Sequence, residues 1–343
     1  MEQTSGRPAT EAKTAARGRP SRRAGRRPWG MDARGRTPWT RGWTLVSLAI
    51  LTAGLTAFHS AVPNTAGNLG SLLETFLPWT GLAVPVLLGL ALLRRSAVAG
   101  VAAALPGAVW AVLFGHLVVP AGGVTAYDLT VLQHNVDDEN PDPAGTARAL
   151  LRAGADLIAL EELTPEAVAA YRAVLEADHP HHAVVGTVGL WSRYPLTGTR
   201  PVDIRPGDVE ASWSRGLRST ARTPRGDVAV YVAHLPSVRV GTGGFTSGRR
   251  DESAVLLGTA IAAERLERVV LLGDLNGTLD DRGLAPLTSR VTPARTGFGF
   301  SWPAVFPLAR IDHVMARAAT PVHTWTLPAT GSDHLPVAAR IRF

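Results

Sequence analysis

Three apolar stretches, at residues 43–62, 72–93 and 97–119, follow one another with almost no charge inside them. Each is long enough to cross a hydrocarbon core of about 30 Å, which takes roughly 20 helical residues. This constrains the fold more than any other feature. The front of the chain has to be a helical unit whose outward faces are apolar, and chemistry that needs water has to lie elsewhere. A cleaved signal peptide is the alternative for the first stretch. Two further stretches directly behind it favour a three-helix membrane region.

Charge gives this unit a direction. Residues 1–42 hold eleven Lys and Arg against three acids, net +8; residues 43–120 are net +1, and everything after 120 is net −2. The loop between the first two stretches has no Lys or Arg, whereas Arg94 and Arg95 lie between the second and third. By the positive-inside rule the tail (1–42) and Arg94/Arg95 face the cytoplasm, and three crossings put residues 121–343 outside. The tail is rich in Arg, Gly, Pro, Thr and Ala, a composition that predicts disorder. Because the excess charge belongs to the tail, a nucleic acid is an unfavoured partner for the rest of the chain. With no cysteine, disulfides and thiolate metal sites are excluded. Glu74 and His116 sit near the outer ends of their stretches, where they can reach the interface. Pro78, Pro85 and Pro106 are candidate kinks.

From Tyr127 the pattern changes to alternating strands and helices. Strands are predicted at 127–136, 156–160, 182–186, 189–192, 197–204, 216–223, 227–234, 268–272, 311–316, 322–327 and 337–341. Helices are predicted at 143–153, with Asp142 as N-cap, at 164–177, with Thr164 as N-cap, and at 247–267. Many strands with a few long helices imply an α/β fold in which two sheets pack face to face with helices outside. Its length suits one domain.

Chemistry-bearing residues cluster where apolar strand runs end: Gln133-His134-Asn135-Val136, Glu161-Glu162, His234, Gly273-Asp274-Leu275-Asn276, Asp312-His313 and Ser332-Asp333-His334. Hard oxygen ligands, a neutral amide and titratable bases are what a divalent cation and a phosphate ester need. In this order the motifs resemble the endonuclease/exonuclease/phosphatase superfamily, whose fold is DNase I-like. The resemblance spans 127–343. It implies a four-layer αββα sandwich with the site at the mouth between the sheets, and a metal-dependent phosphohydrolase.

By the same resemblance Glu162 is the principal metal ligand, with Asn135 and Asp333 also at the metal. The metal is magnesium, with manganese as the alternative. His234 and Asn276 hold phosphate oxygens, Asp312 orients His334, and Asp274 and His334 divide the proton work in one of two ways. Asp137 is an additional carboxylate candidate beside the ion. Glu161 stands where the family commonly has glutamine, and His313, where an aromatic is common, reads as packing. Ser192-Arg193-Tyr194-Pro195 reads as a structural turn. Arg215, Arg218, Arg249 and Arg250 are candidate phosphate clamps.

Three apolar stretches ahead of such a domain resemble the actinobacterial teicoplanin-resistance membrane proteins of the VanJ type. That resemblance implies a phosphorylated lipid, undecaprenyl pyrophosphate, as substrate. A nuclease or phosphodiesterase acting on DNA or phospholipid is the alternative. A non-catalytic binding protein would not need Glu162, Asp274, Asn276, Asp312 and His334 together. No residue pattern specifies an oligomeric state.

Overall fold

The computed structural model describes Thr37 and residues 41–118, 126–294 and 296–343. Most of the basic tail and the link at 119–125 lie outside the described residues.

The N-terminal unit contains α1 (Trp43–Ala57), α2 (Leu69–Thr75), α3 (Ala83–Leu93), α4 (Ala97–Ala102) and α5 (Ala104–Val118), with a 3-10 turn at Leu77–Leu82. Small residues let the helices approach: Leu45, Ala49, Leu87, Ala91, Ala99 and Ala103 form their shared core. Large apolar side chains point outward, among them Leu51 (65% exposed), Leu93 (81%) and Val112 (82%). Helices α4 and α5 continue as one apolar helix of 22 residues, Ala97–Val118, about 33 Å long at 1.5 Å per residue. It alone among the described residues is an unbent helix long and apolar enough to cross a membrane. The first predicted stretch holds a 15-residue helix. The second is broken: Leu69–Thr75 and Leu77–Leu93 meet at 70°. Pro78 accounts for the break, since it lacks an N–H for a continuing helix but fits the first turn of a new one.

Among the described residues the second unit carries fourteen short or long strands. In chain order they are β1 (Leu129–Asn135), β2 (Leu157–Glu161), β3 (His181–Val185), β4 (Val188–Ser192), β5 (Leu196–Pro201), β6 (Gly216–Thr223), β7 (Gly226–Ala233), β8 (Val240–Gly241), β9 (Gly244–Phe245), β10 (Val269–Asp274), β11 (Thr292–Pro293), β12 (Asp312–Arg317), β13 (Thr320–Thr326) and β14 (Val337–Arg342). One sheet runs β13-β14-β1-β2-β4-β3 and the other β11-β12-β10-β7-β6-β5. Between them lies a dry core that includes Leu129, Val131, Leu157, Val230, Leu272 and Val314. Helices α6 (Pro143–Leu151) and α7 (Pro165–Leu175) cover the outside of the first sheet, burying Leu150, Tyr171 and Leu175. Helices α8 (Gly248–Ala262) and α9 (Ala285–Thr288) cover the second through Leu257, Ile261 and Leu287. The layers are therefore αββα.

Both predicted N-caps form: Asp142 accepts from the Gly145 N–H and Thr164 from the Ala167 N–H. Helix α8 ends at Ala262, short of the predicted 267. There Arg317 from β12 donates to the carbonyls of Ile261, Glu264 and Leu266, satisfying the helix end from outside.

The two units are in contact. Buried Glu74, which the sequence leaves at an interface, accepts from the Arg282 side chain at 2.9 and 2.8 Å and from its backbone N–H at 3.0 Å. Trp79 donates to the Leu308 carbonyl, Asn68 to the Phe245 carbonyl, and Trp79 stacks on Phe300.

Candidate active site

Side chains alternate along a strand, so every second residue of a core-facing strand points between the sheets. The dry core therefore continues outward along β1, β2, β7, β10 and β12 into Gln133, Asn135, Glu161, His234, Asp274 and Asp312. Strands β1 and β2 run parallel, as do β7 and β10, so their carboxyl ends open on one edge of the sandwich. Gly273 has φ 152, and a Cβ there would meet the Ala233 carbonyl oxygen at 1.9 Å, so glycine is required where β10 closes on β7. The loops that leave these strands turn at once through left-handed residues: Asp137 (φ 66), Glu162 (φ 60) and Asn276 (φ 47).

Asp274 is buried at the centre. Its carboxylate accepts from the Asn276 N–H at 2.9 Å, the Asn135 amide at 3.1 Å and the Asn276 amide at 3.2 Å. Burial raises its pKa to about 7, against the lowering influence of His334 and these donors. His334 Nδ1 lies 2.9 Å from Asp312 Oδ2, while its Nε2 faces Asp274 at 3.8 Å. Asp312 also accepts from Ser301 (2.5 Å) and Gln133 (2.9 Å). Burial opposes both charges, yet each stabilises the other: His334 is raised to about 10 by the charges of Asp312 and Asp274, and Asp312 is lowered to about 2. Both shifts favour the charged His334–Asp312 pair, and the contact holds the ring in one orientation.

His234 is fully buried and held well below the usual imidazole range by burial and by the Arg215 charge. Arg215 approaches its Nδ1 at 3.1 Å. The same guanidinium nitrogen lies 3.4 Å from Nε2, so Arg215 sits against both ring nitrogens, and the nearer, Nδ1, is the better placed acceptor for a group that only donates. Nε2 also faces Glu162 at 3.6 Å and Asp274 at 3.7 Å.

Glu162 closes a carboxylate group with Asp137 and Asp138, one oxygen from each lying within 4.8 Å of the others. Burial raises the Glu162 pKa, partly offset by the Asn135 amide. Three hard oxygen donors on two adjacent turns fit a magnesium-like ion that keeps part of its water shell. The anticipated ligand Asp333 is not in this group. It is 58% exposed on its side chain and accepts from the Trp302 indole at 3.0 Å. Asn135 bridges the two halves of the site through Asp274, and its Oδ1 accepts from the Asp137 N–H. Asn276 directs its amide N–H groups to the Leu235 carbonyl and Asp274, and Arg250 supports that turn by donating to the Asn276 carbonyl.

A cavity of about 490 Å³ brings Asn135, Asp137, Glu162, Asp274, Asn276 and His334 together, with Asp333 on its wall. Arg239, Thr75 and Phe76 also line it. Of the four arginines singled out, only Arg215 reaches the site. Arg218 pairs with Glu264, Arg249 with Asp208 and Arg250 with Asp281. His313 bonds the Gly277 carbonyl and Ser192 bonds Tyr194, both structural as expected. Sequence reading missed Asp138 as a metal-group member, Ser301 and Gln133 as supports of Asp312, and Phe76 and Arg239 as cavity lining. Asp138 carried a signal as the neighbour of Asp137, and Gln133 as the first residue of the Gln133-His134-Asn135-Val136 run.

Hard oxygen donors, an imidazolium and a buried carboxylate around one cavity define a site for metal-assisted cleavage of a phosphate ester. The sequence model of the endonuclease/exonuclease/phosphatase family matches residues 132–334, and the protein belongs to that family. It is accordingly a metal-dependent phosphohydrolase. Comparison with curated proteins gives no match. Among solved structures, the fold is similar to beta toxin of Staphylococcus aureus (TM-score 0.52, 13% identity, 62% of this chain and 99% of that one). It is also similar to sphingomyelinase C of Streptomyces griseocarneus (TM-score 0.50, 20% identity, 63% and 99%). A humanized D. rerio TDP2 is a third (TM-score 0.52, 18% identity, 63% and 99%). At these identities the likeness establishes the fold.

Proposed function

We propose that the protein is a membrane-anchored phosphohydrolase that removes phosphate from a lipid-linked pyrophosphate of the undecaprenyl type, on the extracytoplasmic side. The observation that carries this reading is the cavity wall. Thr75 and Phe76, from the break in the apolar N-terminal unit, line the same cavity as Asp274 and His334. A phosphate bound there has apolar helices as its neighbour, which suits a head group still attached to its lipid. The orientation is supported by the cationic end of the unit. Arg41 donates to the Arg95 carbonyl at the start of α1, whereas the His59 carbonyl, just past its end, accepts from Arg282 of the catalytic domain.

Magnesium, or manganese, held by Glu162 with Asp137 and Asp138, would neutralise the pyrophosphate charge. The chain does the rest. Asp274, already ringed by three N–H donors, takes the proton of the attacking water. The His334 imidazolium donates to a phosphoryl oxygen and Asp312 keeps it aligned, while His234, buried behind the cavity, faces Glu162 and Asp274. Water adds to the terminal phosphorus, the bridging P–O bond breaks, and the products are inorganic phosphate and the lipid monophosphate.

The second reading is a phosphodiesterase acting on a phospholipid or on DNA. The apolar wall favours the phospholipid form, and the net −2 charge after residue 120 disfavours DNA. Purified full-length protein, given Mg²⁺ with farnesyl pyrophosphate, plasmid DNA and sphingomyelin in parallel, separates them. Phosphate release from the pyrophosphate, lost in Asp274→Ala, is the expected result. Plasmid nicking or sphingomyelin cleavage without pyrophosphate turnover would sink the proposal. For orientation, a reporter fused after Phe343 should be active only outside the cytoplasm.

A further inference from the structure

Beside the catalytic cavity the two units enclose a second groove of about 520 Å³. Its walls include Leu82, Val84 and Pro85 from the N-terminal unit and Phe298 and Phe300 from the catalytic domain. Two tryptophans also face it, but their polar edges are satisfied elsewhere. Trp79 donates its indole N–H to the Leu308 carbonyl and Trp110 donates to the Pro78 carbonyl, both at 2.7 Å. What remains toward the groove is ring and hydrocarbon. The rings form a continuous wall: Trp79 to Phe300 at 5.4 Å, Phe300 to Phe298 at 5.3 Å, Phe298 to Trp110 at 6.2 Å.

This groove is joined to the catalytic cavity along two separate lines of sequence. On the N-terminal side, Thr75 and Phe76 line the cavity and Pro78 and Trp79, a few residues on, line the groove. On the catalytic side, Phe298 and Phe300 line the groove and Trp302, two residues on, lines the cavity. A smaller space of about 60 Å³ lies between, sharing Thr75 with the cavity and Pro78, Phe298 and Phe300 with the groove. A molecule with an anionic end in the cavity and a hydrocarbon end in the groove would meet polar donors in the first and rings and hydrocarbon in the second, passing His116, Asp280 and Arg310 in the space between.

We infer that this groove binds the hydrocarbon chain of the phosphorylated lipid whose head group occupies the catalytic cavity. The inference rests on the lipid-pyrophosphate reading and adds to it a residue-level determinant of chain length. Substrates whose tails reach past Phe300 gain affinity from the groove, and substrates too short to reach it do not.

Filling the groove tests this without touching the chemistry. Gly107 has space, the nearest atom to an added Cβ being a Val84 methyl at 3.6 Å. In Gly107→Phe or Val84→Trp, full-length and in nanodiscs, KM for farnesyl pyrophosphate should rise at least about tenfold, with KM for isopentenyl pyrophosphate and kcat for both unchanged. Equal changes on both substrates, or none on either, would overturn the groove. Thermal unfolding of each variant separates misfolding from filling.

A second readout needs no turnover and so survives failure of the pyrophosphate reading. A diazirine-bearing farnesyl probe, with and without its pyrophosphate, should label residues 82–85 and 298–300, and Gly107→Phe should remove the label. Labelling spread evenly over the outward faces of α1 and α3 would mean ordinary boundary lipid and refute a built site.

Discussion

His334 illustrates how far a site depends on contacts between distant segments. Its charge is fixed by Asp312, and Asp312 is in turn fixed by Ser301 and Gln133, which come from a loop and from the opposite sheet. Asp312→Asn keeps the shape but removes the charge that holds the imidazolium. We expect kcat to fall about a thousandfold with KM little changed, and the His334 pKa, followed by NMR, to drop. The metal group makes a separate prediction. Chelation with EDTA should abolish activity and Mg²⁺ restore it. Glu162→Gln should stay inactive, whereas Asp138→Asn should remain active but need several-fold more Mg²⁺. Asp333→Asn should leave the Mg²⁺ requirement unaltered; a metal titration giving Asp333 the larger effect would overturn the carboxylate assignment.

These differences also mark what was legible at this scale. Residues that end apolar strands, such as Asn135, Glu162, His234 and Asp274, could be read because the strand itself announces where its end lies. Gln133 could be singled out in the same way but its partner Asp312 could not, and Ser301 and Phe76 gave no sign, since such roles arise only when distant segments meet.

Helix α8 is held to the second sheet by a buried ion pair just past its end. Arg218 of β6 grips Glu264 at 2.8 and 3.1 Å, and Tyr231 of β7 adds its hydroxyl at 3.0 Å. Burial works against the Glu264 charge, but Arg218, the Leu266 N–H and Tyr231 outweigh it and lower the pKa from 4.5 to about 2. A carboxyl lowered in the folded state stabilises fully above its unfolded value and loses that contribution as pH falls through the folded one. The Tm difference between the native protein and Glu264→Gln should therefore be widest above about pH 5 and close toward pH 2. Above pH 5 the loss should be about 3 kcal/mol, because the substitution leaves Arg218 buried and unpaired. A difference independent of pH would show that packing, not charge, is what the substitution removes. Strands and N-caps were legible as elements because propensity, burial and capping agree locally. The break after Thr75 was signalled by Pro78, a candidate kink, though its angle was not, whereas the end of α8 was harder to read because it is set by an arginine on a different element.

The two units of the molecule are joined at a buried charge pair flanked by further hydrogen bonds between them. Glu74 is 1% exposed on its side chain and pairs with Arg282, while His59 Nδ1 lies 3.2 Å away. Removing one partner leaves a buried charge with reduced compensation, so Arg282→Ala should destabilise the full-length protein by about 3 kcal/mol in chemical unfolding. It should also raise KM for a lipid-linked substrate more than for a short soluble one, because the cavity wall at Thr75 and Phe76 would no longer be pinned. Unchanged kinetics together with the stability loss would mean that the ion pair holds the fold but not the site.

The contribution of Thr75 and Phe76 to the catalytic cavity has a further consequence for how this chain is divided. The sandwich is complete from Leu129 onward, yet the site is not. Cutting the protein where its fold begins would give a hydrolase with one side of its cavity open to water. Such a fragment would treat soluble and lipid-borne phosphates more nearly alike, and its selectivity would describe the fragment.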